Sequence, residues 1–187
     1  MGFSFHPLQI RDVVLVRPER HLDDRGYFKE IFQTEAFTAA GIDAPFVQDN
    51  LTRSMRGVLR GLHYQLPPQA QGKLITVVSG AIYDVAVDLR MGGGTYGRWV
   101  GQALDVDTGD MLWVPPGFAH GYCILSETAD VLYKVTAPYE PELSRGIRWN
   151  DPALGIQWPV TDPILSDADQ RQPTLDGCEN SFRITDP

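Results

Sequence analysis

Two histidines and a run of arginines are the residues in this sequence best placed to do chemistry. His63 and His120 each sit in a stretch of glycine and apolar residues, Gly61-Leu62-His63-Tyr64 and Gly117-Phe118-Ala119-His120-Gly121. An imidazole in such surroundings is costly to bury unless it is hydrogen-bonded. Both are therefore candidates for acid–base or ligand work, with a core role as the alternative. His6 and His21 are expected at the surface or in loops. Arg53, Arg56 and Arg60 fall within eight residues, and a guanidinium fork matches paired phosphate oxygens. The plainer reading of Arg53 and Arg56 is a pair of solvated charges.

The elements that must position these groups are mostly strands. Residues 73 to 90 form two β-rich runs broken at Ser79-Gly80, and in the second Tyr83, Val85, Val87 and Leu89 face one way while Asp84 and Asp88 face the other. Further runs at Trp99 to Val106, Met111 to Val114, Tyr122 to Leu125 and Val131 to Thr136 are separated by turn-forming residues. Short strands at this spacing indicate a sandwich or barrel. Helix is scarce. Thr34 is expected to cap a short helix running through Ala40 and stopped by Gly41, and Ser166 to start another turn.

The whole chain of 187 residues is expected to be a single domain, with the tail 176–187 peripheral. Its net charge of -8 repels phosphate backbones, so nucleic acid is not an expected partner. An anionic substrate would need a local cluster of cations, because charges beyond about 10 Å are screened. Cys123 and Cys178 are too few for a disulfide scaffold. With neither a leader-like start nor an apolar run of about eighteen residues, a cytoplasmic protein without a membrane span is expected.

The segment Gly-Asp-Met-Leu-Trp-Val-Pro-Pro-Gly-Phe-Ala-His keeps Gly109, Pro115, Gly117 and His120 in the order G-x5-P-x-G-x2-H. It resembles the second signature of the cupin superfamily, which implies an all-β jelly-roll barrel with a few short peripheral helices. Metal-binding cupins place an H-x-H pair on an earlier strand. Here that strand reads His63-Tyr64-Gln65 and keeps only one imidazole, whereas a stable site needs three or four ligands. No metal and no cofactor are expected.

A wider resemblance, from about Phe5 to Leu175, is to the dTDP-4-dehydrorhamnose 3,5-epimerases. It is carried by Asp24-Arg25-Gly26-Tyr27-Phe28-Lys29-Glu30, Gln48-Asp49-Asn50, Arg56 to Gln65, Gln71-Gly72-Lys73-Leu74, Asp84 to Arg90, Pro116 to Gly121 and Gly146 to Pro152. The resemblance implies a reaction at the two carbons flanking the C4 ketone of a thymidine-diphosphate 4-keto-6-deoxysugar. Removing either hydrogen gives an enolate with its charge on the C4 oxygen. It further implies His63 as base, Asp169 as the carboxylate on its other ring nitrogen, Lys73 as the cation over the oxyanion and Tyr133 as the acid on the opposite face. The plainer alternatives are a capping-box role for Asp169, a solvated strand-end Lys73 and a packing role for Tyr133.

Arg25, Glu30, Gln48, Asn50, Arg60 and His120 match the family's substrate-binding positions, with Tyr139 as an aromatic neighbour. N-terminal strands cross between subunits in this family, so a homodimer with strand exchange is expected. Ser144 stands where members commonly place Glu, and Ala168 where Lys is common. Three other readings stay open: a single-carbon epimerase, a metal-dependent cupin enzyme and a non-catalytic sugar-binding jelly roll.

Overall fold

The computed structural model describes residues 2–184. The chain runs through β1 (Phe3–Pro7), β2 (Val14–Pro18), β3 (Arg20–Asp23), β4 (Gly26–Lys29), α1 (Thr34–Ala39), β5 (Gln48–Met55), β6 (Leu59–Gln65) and β7 (Lys73–Ser79). It continues through β8 (Ala81–Asp88), β9 (Trp99–Asp105), β10 (Met111–Val114), β11 (Phe118–Ile124), β12 (Thr128–Val135), β13 (Ser144–Gly146) and α2 (Asp167–Gln170). One sheet has the order β1-β2-β10-β7-β12-β5 and the other β13-β6-β11-β8-β9, with β3-β4 as a separate hairpin. The pairings within each sheet are antiparallel. This is an all-β jelly-roll sandwich with two short helices outside it.

Side-chain alternation divides the apolar residues into three clusters. Ile75 and Val77 of β7, Ile82 and Ala86 of β8, Leu112 and Val114 of β10 and Val131 of β12 fill the space between the sheets. The opposite faces of the strands are also covered. Val85, Val87 and Leu89 lie under Leu154, Phe182 and Trp158 from the C-terminal segment. Leu74, Met111 and Trp113 lie under Phe37 of α1 and the phenylalanines of β1. The alternation expected along β8 therefore does not separate core from solvent, because both of its faces are buried: Asp84 and Asp88 are fully inaccessible.

The strand expected at Tyr122 to Leu125 begins at Phe118, so His120 lies within it. The first helix is present, but Thr34 is its first residue rather than its cap; Gln33 holds the cap position without a side-chain hydrogen bond, and the helix ends at Ala39 with Ala40 as its C-cap. Beyond Leu175 the tail packs on the outer face of the second sheet and buries Phe182 to 8% exposure. There Tyr64 donates to the Glu179 carbonyl, and Asn180 donates to that of Leu89.

Candidate active site

The interior changes character along its length. Next to the apolar filling, strands from both sheets turn polar groups inward around a cavity of about 390 Å³, lined by Arg60, His63, His120 and Tyr122 of the second sheet and by Thr52, Lys73 and Tyr133 of the first. A second cavity of about 550 Å³ shares His63, Lys73, Tyr133, Ser166 and Asp169 with it and extends outward past Gln48, Asn50 and Tyr139. His63 and the pair Lys73 and Tyr133 thus belong to facing sheets and meet one continuous space.

His63 and His120 are directly opposite each other in the β6–β11 pairing. The strands can approach there because Gly61 and Gly121 face each other. A Cβ on Gly61 would lie 2.5 Å from the Gly121 Cα, and its φ of 127° disfavours any other residue. Each imidazole is held by a carboxylate. Asp169 Oδ1 lies 2.5 Å from His63 Nε2, and the two oxygens of Asp84 lie 2.9 and 3.0 Å from His120 Nε2.

The settings of the two carboxylates differ. Asp169 is delivered by α2, whose cap is Ser166: the Ser166 Oγ accepts from the Asp169 N–H and donates to Asp169 Oδ2. The capping contact and the imidazole contact coexist in this one aspartate. Burial pushes the Asp169 carboxyl up. The His63 hydrogen bond and charge, with the Ser166 hydroxyl and Gly61 N–H, outweigh burial and hold it below the usual carboxylate range. An ionised Asp169 can only accept, so His63 Nε2–H donates, and in the neutral form of the imidazole the lone pair is on Nδ1. Asp84 is raised, since burial exceeds the lowering effects of the His120 charge and hydrogen bond.

Lys73 is 7% exposed, and burial pushes its ammonium down to about 8. Among the described residues it has no carboxylate partner. Burial also raises the Tyr133 phenol against a smaller lowering effect of Arg60, so the group is protonated at neutral pH. An imidazole with a free lone pair, a poorly solvated ammonium and a protonated phenol can together remove a proton, hold the resulting oxyanion and return a proton.

Arg60 reaches this space and donates to Ser54 Oγ at 3.0 Å. Gln48, Asn50 and Tyr139 line the outer half, with Gln48 donating to Asn50 Oδ1 and accepting from the Tyr139 N–H. Arg53 forms an exposed ion pair with Asp130. Arg25 and Glu30 are not brought to the cavity of their own chain. Arg25 is on the β3–β4 hairpin, 89% exposed at its side chain and paired with Asp23. Among the described residues, no group of three or more His, Cys, Asp or Glu converges as a ligand set, and no helix is long and apolar enough to cross a membrane.

Sequence reasoning missed two features of the site. Asp84 was separable from its apolar neighbours by alternation, yet its pairing with His120 joins residues 36 apart and carries no local signal. The hydrogen bond between Thr52 and Tyr122, 2.8 Å long, crosses from one sheet to the other within the cavity.

The family model described as dTDP-4-dehydrorhamnose 3,5-epimerase matches residues 7–177. The chain belongs to this family. It is 52% identical over 88% of its length to the dTDP-4-dehydrorhamnose 3,5-epimerase of Pseudomonas aeruginosa, covering 91% of that protein. The crystal structure of the Legionella pneumophila dTDP-6-deoxy-D-glucose-3,5-epimerase in complex with dTDP-4-keto-L-rhamnose superposes with a TM-score of 0.91 at 43% identity, covering 94% of each chain. A 3'-monoepimerase from Streptomyces bikiniensis in complex with dTDP-quinovose is also similar, with a TM-score of 0.86 at 37% identity, covering 91% of this chain and 87% of that one.

Proposed function

We propose that this member of the family inverts C3 and C5 of dTDP-4-dehydro-6-deoxy-D-glucose to give dTDP-4-dehydro-L-rhamnose. The observation that carries the reading is the single cavity bounded on one sheet by His63 with its ionised Asp169 and on the facing sheet by Lys73 and Tyr133. His63 takes the hydrogen from the carbon beside the ketone, and the electron pair moves onto the C4 oxygen. The Lys73 ammonium holds that oxyanion, a contribution of about 3 kcal/mol for one such donor. Tyr133 gives its phenolic proton to the same carbon from the other side, and collapse of the enolate restores the ketone with the stereocentre inverted. Asp169 holds the His63 tautomer and stabilises the imidazolium. Arg60, Gln48, Asn50, Tyr139 and His120 bind the rest of the nucleotide sugar. The residues need no metal or other cofactor for these steps.

The working form in this proposal is a homodimer with strand exchange. Arg25 and Glu30 lie on or next to a hairpin that also exposes Leu22, Tyr27 and Phe28 at 75%, 50% and 57%. Such apolar side chains on an outlying hairpin suit insertion into a second copy, where Arg25 and Glu30 would complete that copy's site.

The test is turnover of the 4-keto-6-deoxyglucose nucleotide in heavy water. Label at both C3 and C5 is expected. Label at one carbon would establish a single-site epimerase instead, and binding without label would leave a sugar-binding protein.

A further inference from the structure

Where the cavity meets the apolar filling between the sheets, it stops at a phenol. Tyr122 is buried, belongs to that apolar cluster and also lines the cavity beside Thr52. The two hydroxyls meet at 2.8 Å and join β11 of the second sheet to β5 of the first. Burial pushes the Tyr122 phenol up to about 12, so it keeps its proton at neutral pH. The Thr52 hydroxyl points its own hydrogen at the Val131 carbonyl, 3.5 Å away, and both hydrogens are used when Tyr122 donates to Thr52. The contact thus runs from β11 through β5 to β12, where it ends two residues before Tyr133.

Among the described residues, two strand pairings change register, and both do so beside this contact. The β11 pairing with β6 shifts between His120 and Tyr122, and the β12 pairing with β7 shifts between Asp130 and Val131. An extra residue bends its strand and interrupts the ladder, so backbone pairing alone does not fix how far apart the sheets stand here. Apolar packing has no direction, whereas a pair of hydroxyls sets a distance and an orientation. Arg60, opposite Tyr122 in the pairing of β11 with β6, makes the neighbouring crossing to Ser54 of β5 at 3.0 Å. Arg60 is assigned to the substrate above, which leaves Thr52 and Tyr122 as the crossing with no other duty.

Tyr133 depends on this floor. Its hydroxyl opens on the cavity without a hydrogen-bond partner among the described residues, and its ring packs against the cluster that holds Tyr122 and Val131. Val131 lies opposite Thr52 on β5, and Tyr133 opposite Asn50. The direction of the Tyr133 phenol is therefore set by packing and by the course of β12, and both are anchored at the Thr52 contact. We infer that Thr52 and Tyr122 are positioning residues that hold the facing sheets at the separation at which Tyr133 reaches the carbon deprotonated by His63. The inference rests on the epimerase reading above.

The test follows deuterium entry and configuration together, with the 4-keto-6-deoxyglucose nucleotide in heavy water, for the wild type, Tyr122→Phe, Thr52→Val, Thr52→Ser and the double variant Tyr122→Phe/Thr52→Val. Tyr122→Phe and Thr52→Val should each slow inversion about tenfold, the scale of one hydrogen bond. Deuterium should still enter at close to the wild-type rate, so label gained per inversion rises by the same factor. Because the two hydroxyls act as one unit, the double variant should be no worse than either single one. Thr52→Ser keeps the hydroxyl and should retain the wild-type ratio. Equal losses of deuterium entry and inversion, as a merely destabilised protein would show, overturn the inference. Additive losses in the double variant, or a wild-type ratio in Tyr122→Phe, do the same. Should Tyr122→Phe fail to fold, Thr52→Val against Thr52→Ser decides by the same ratio. If Tyr133→Phe raises label per inversion and these variants do not, the functional reading stands and this inference alone falls. A wild type that neither exchanges nor inverts the nucleotide sugar overturns that reading and this inference with it.

Discussion

His63–Asp169 and His120–Asp84 are two imidazole–carboxylate pairs on neighbouring strands, and their differences separate a proton-transferring pair from a positioning one. The His63 side chain is 45% exposed over a carboxylate that is 4% exposed, whereas the corresponding values for His120 and Asp84 are 7% and 0%. Asp169 gains further donors from Ser166 and Gly61 and stays ionised; Asp84 has only its imidazole to offset burial and is raised. A charged carboxylate behind an accessible imidazole stabilises the cation that forms when that imidazole takes a proton. The same two side chains set deeper in the cavity wall satisfy each other, and the fixed His120 is left to hold substrate rather than to take a proton.

Substitution of the two aspartates is the strongest way to break the comparison. Asp169→Asn should lower kcat by about 10²–10⁴, because the amide favours the wrong His63 tautomer and removes the stabilising charge. Asp84→Asn should cost far less in kcat. Equal losses in steady-state assays of the two variants would show that exposure does not distinguish the pairs.

The next effect comes from Lys73. With its ammonium lowered to about 8 by burial, kcat/KM should fall about tenfold per pH unit above that value as the charge facing the oxyanion is lost. Stability follows the opposite course. Because the native pKa lies below the ordinary lysine value of 10.5, the unfolded chain binds more protons in that interval, and this group makes the fold more stable as pH rises from about 8 toward 10.5. A pH profile of Lys73→Arg should lack the alkaline decline in activity, and one that keeps the decline would remove Lys73 from the account.

The smallest effects are on stability in acid. The native Asp169 pKa is depressed, so its contribution is present above about pH 4 and is lost as pH falls through the native value. Asp84 has the opposite sign: its contribution is present at low pH and is lost as pH rises through its elevated value. Denaturant titrations between about pH 3 and 6 should therefore show a flatter acid decline for Asp169→Asn and a steeper one for Asp84→Asn. Asp84→Asn should also cost about 1–3 kcal/mol at neutral pH through a poorly matched buried group. Identical acid profiles would contradict the opposite shifts of the two carboxyls.

The two pairs were not equally legible in the sequence. The family resemblance brought Asp169 forward, with a cap spaced from Ser166 as its plainer alternative, and the glycine and proline pattern around His120 marked a barrel strand. Asp84 was visible only as one side of an alternation. Periodicity tells which residues share a face but not what covers it, and on β8 the odd-numbered face is closed by residues such as Leu154 and Phe182, far along the chain. The docking of the tail and the short β13 were hidden for the same reason: each depends on contacts with distant strands. Arg25 and Glu30 match family positions, yet within one chain nothing brings them to the cavity, since their proposed role needs a second copy.

The central claim is that His63 and Tyr133 act on opposite sides of the same carbon, and Tyr133→Phe in heavy water tests it most directly. Proton removal and stereochemical inversion are followed together by NMR of the recovered nucleotide sugar. The account predicts that solvent deuterium still enters the substrate through His63 while net inversion falls by at least about 10², the scale of a lost general acid. Inversion at the wild-type rate would contradict it.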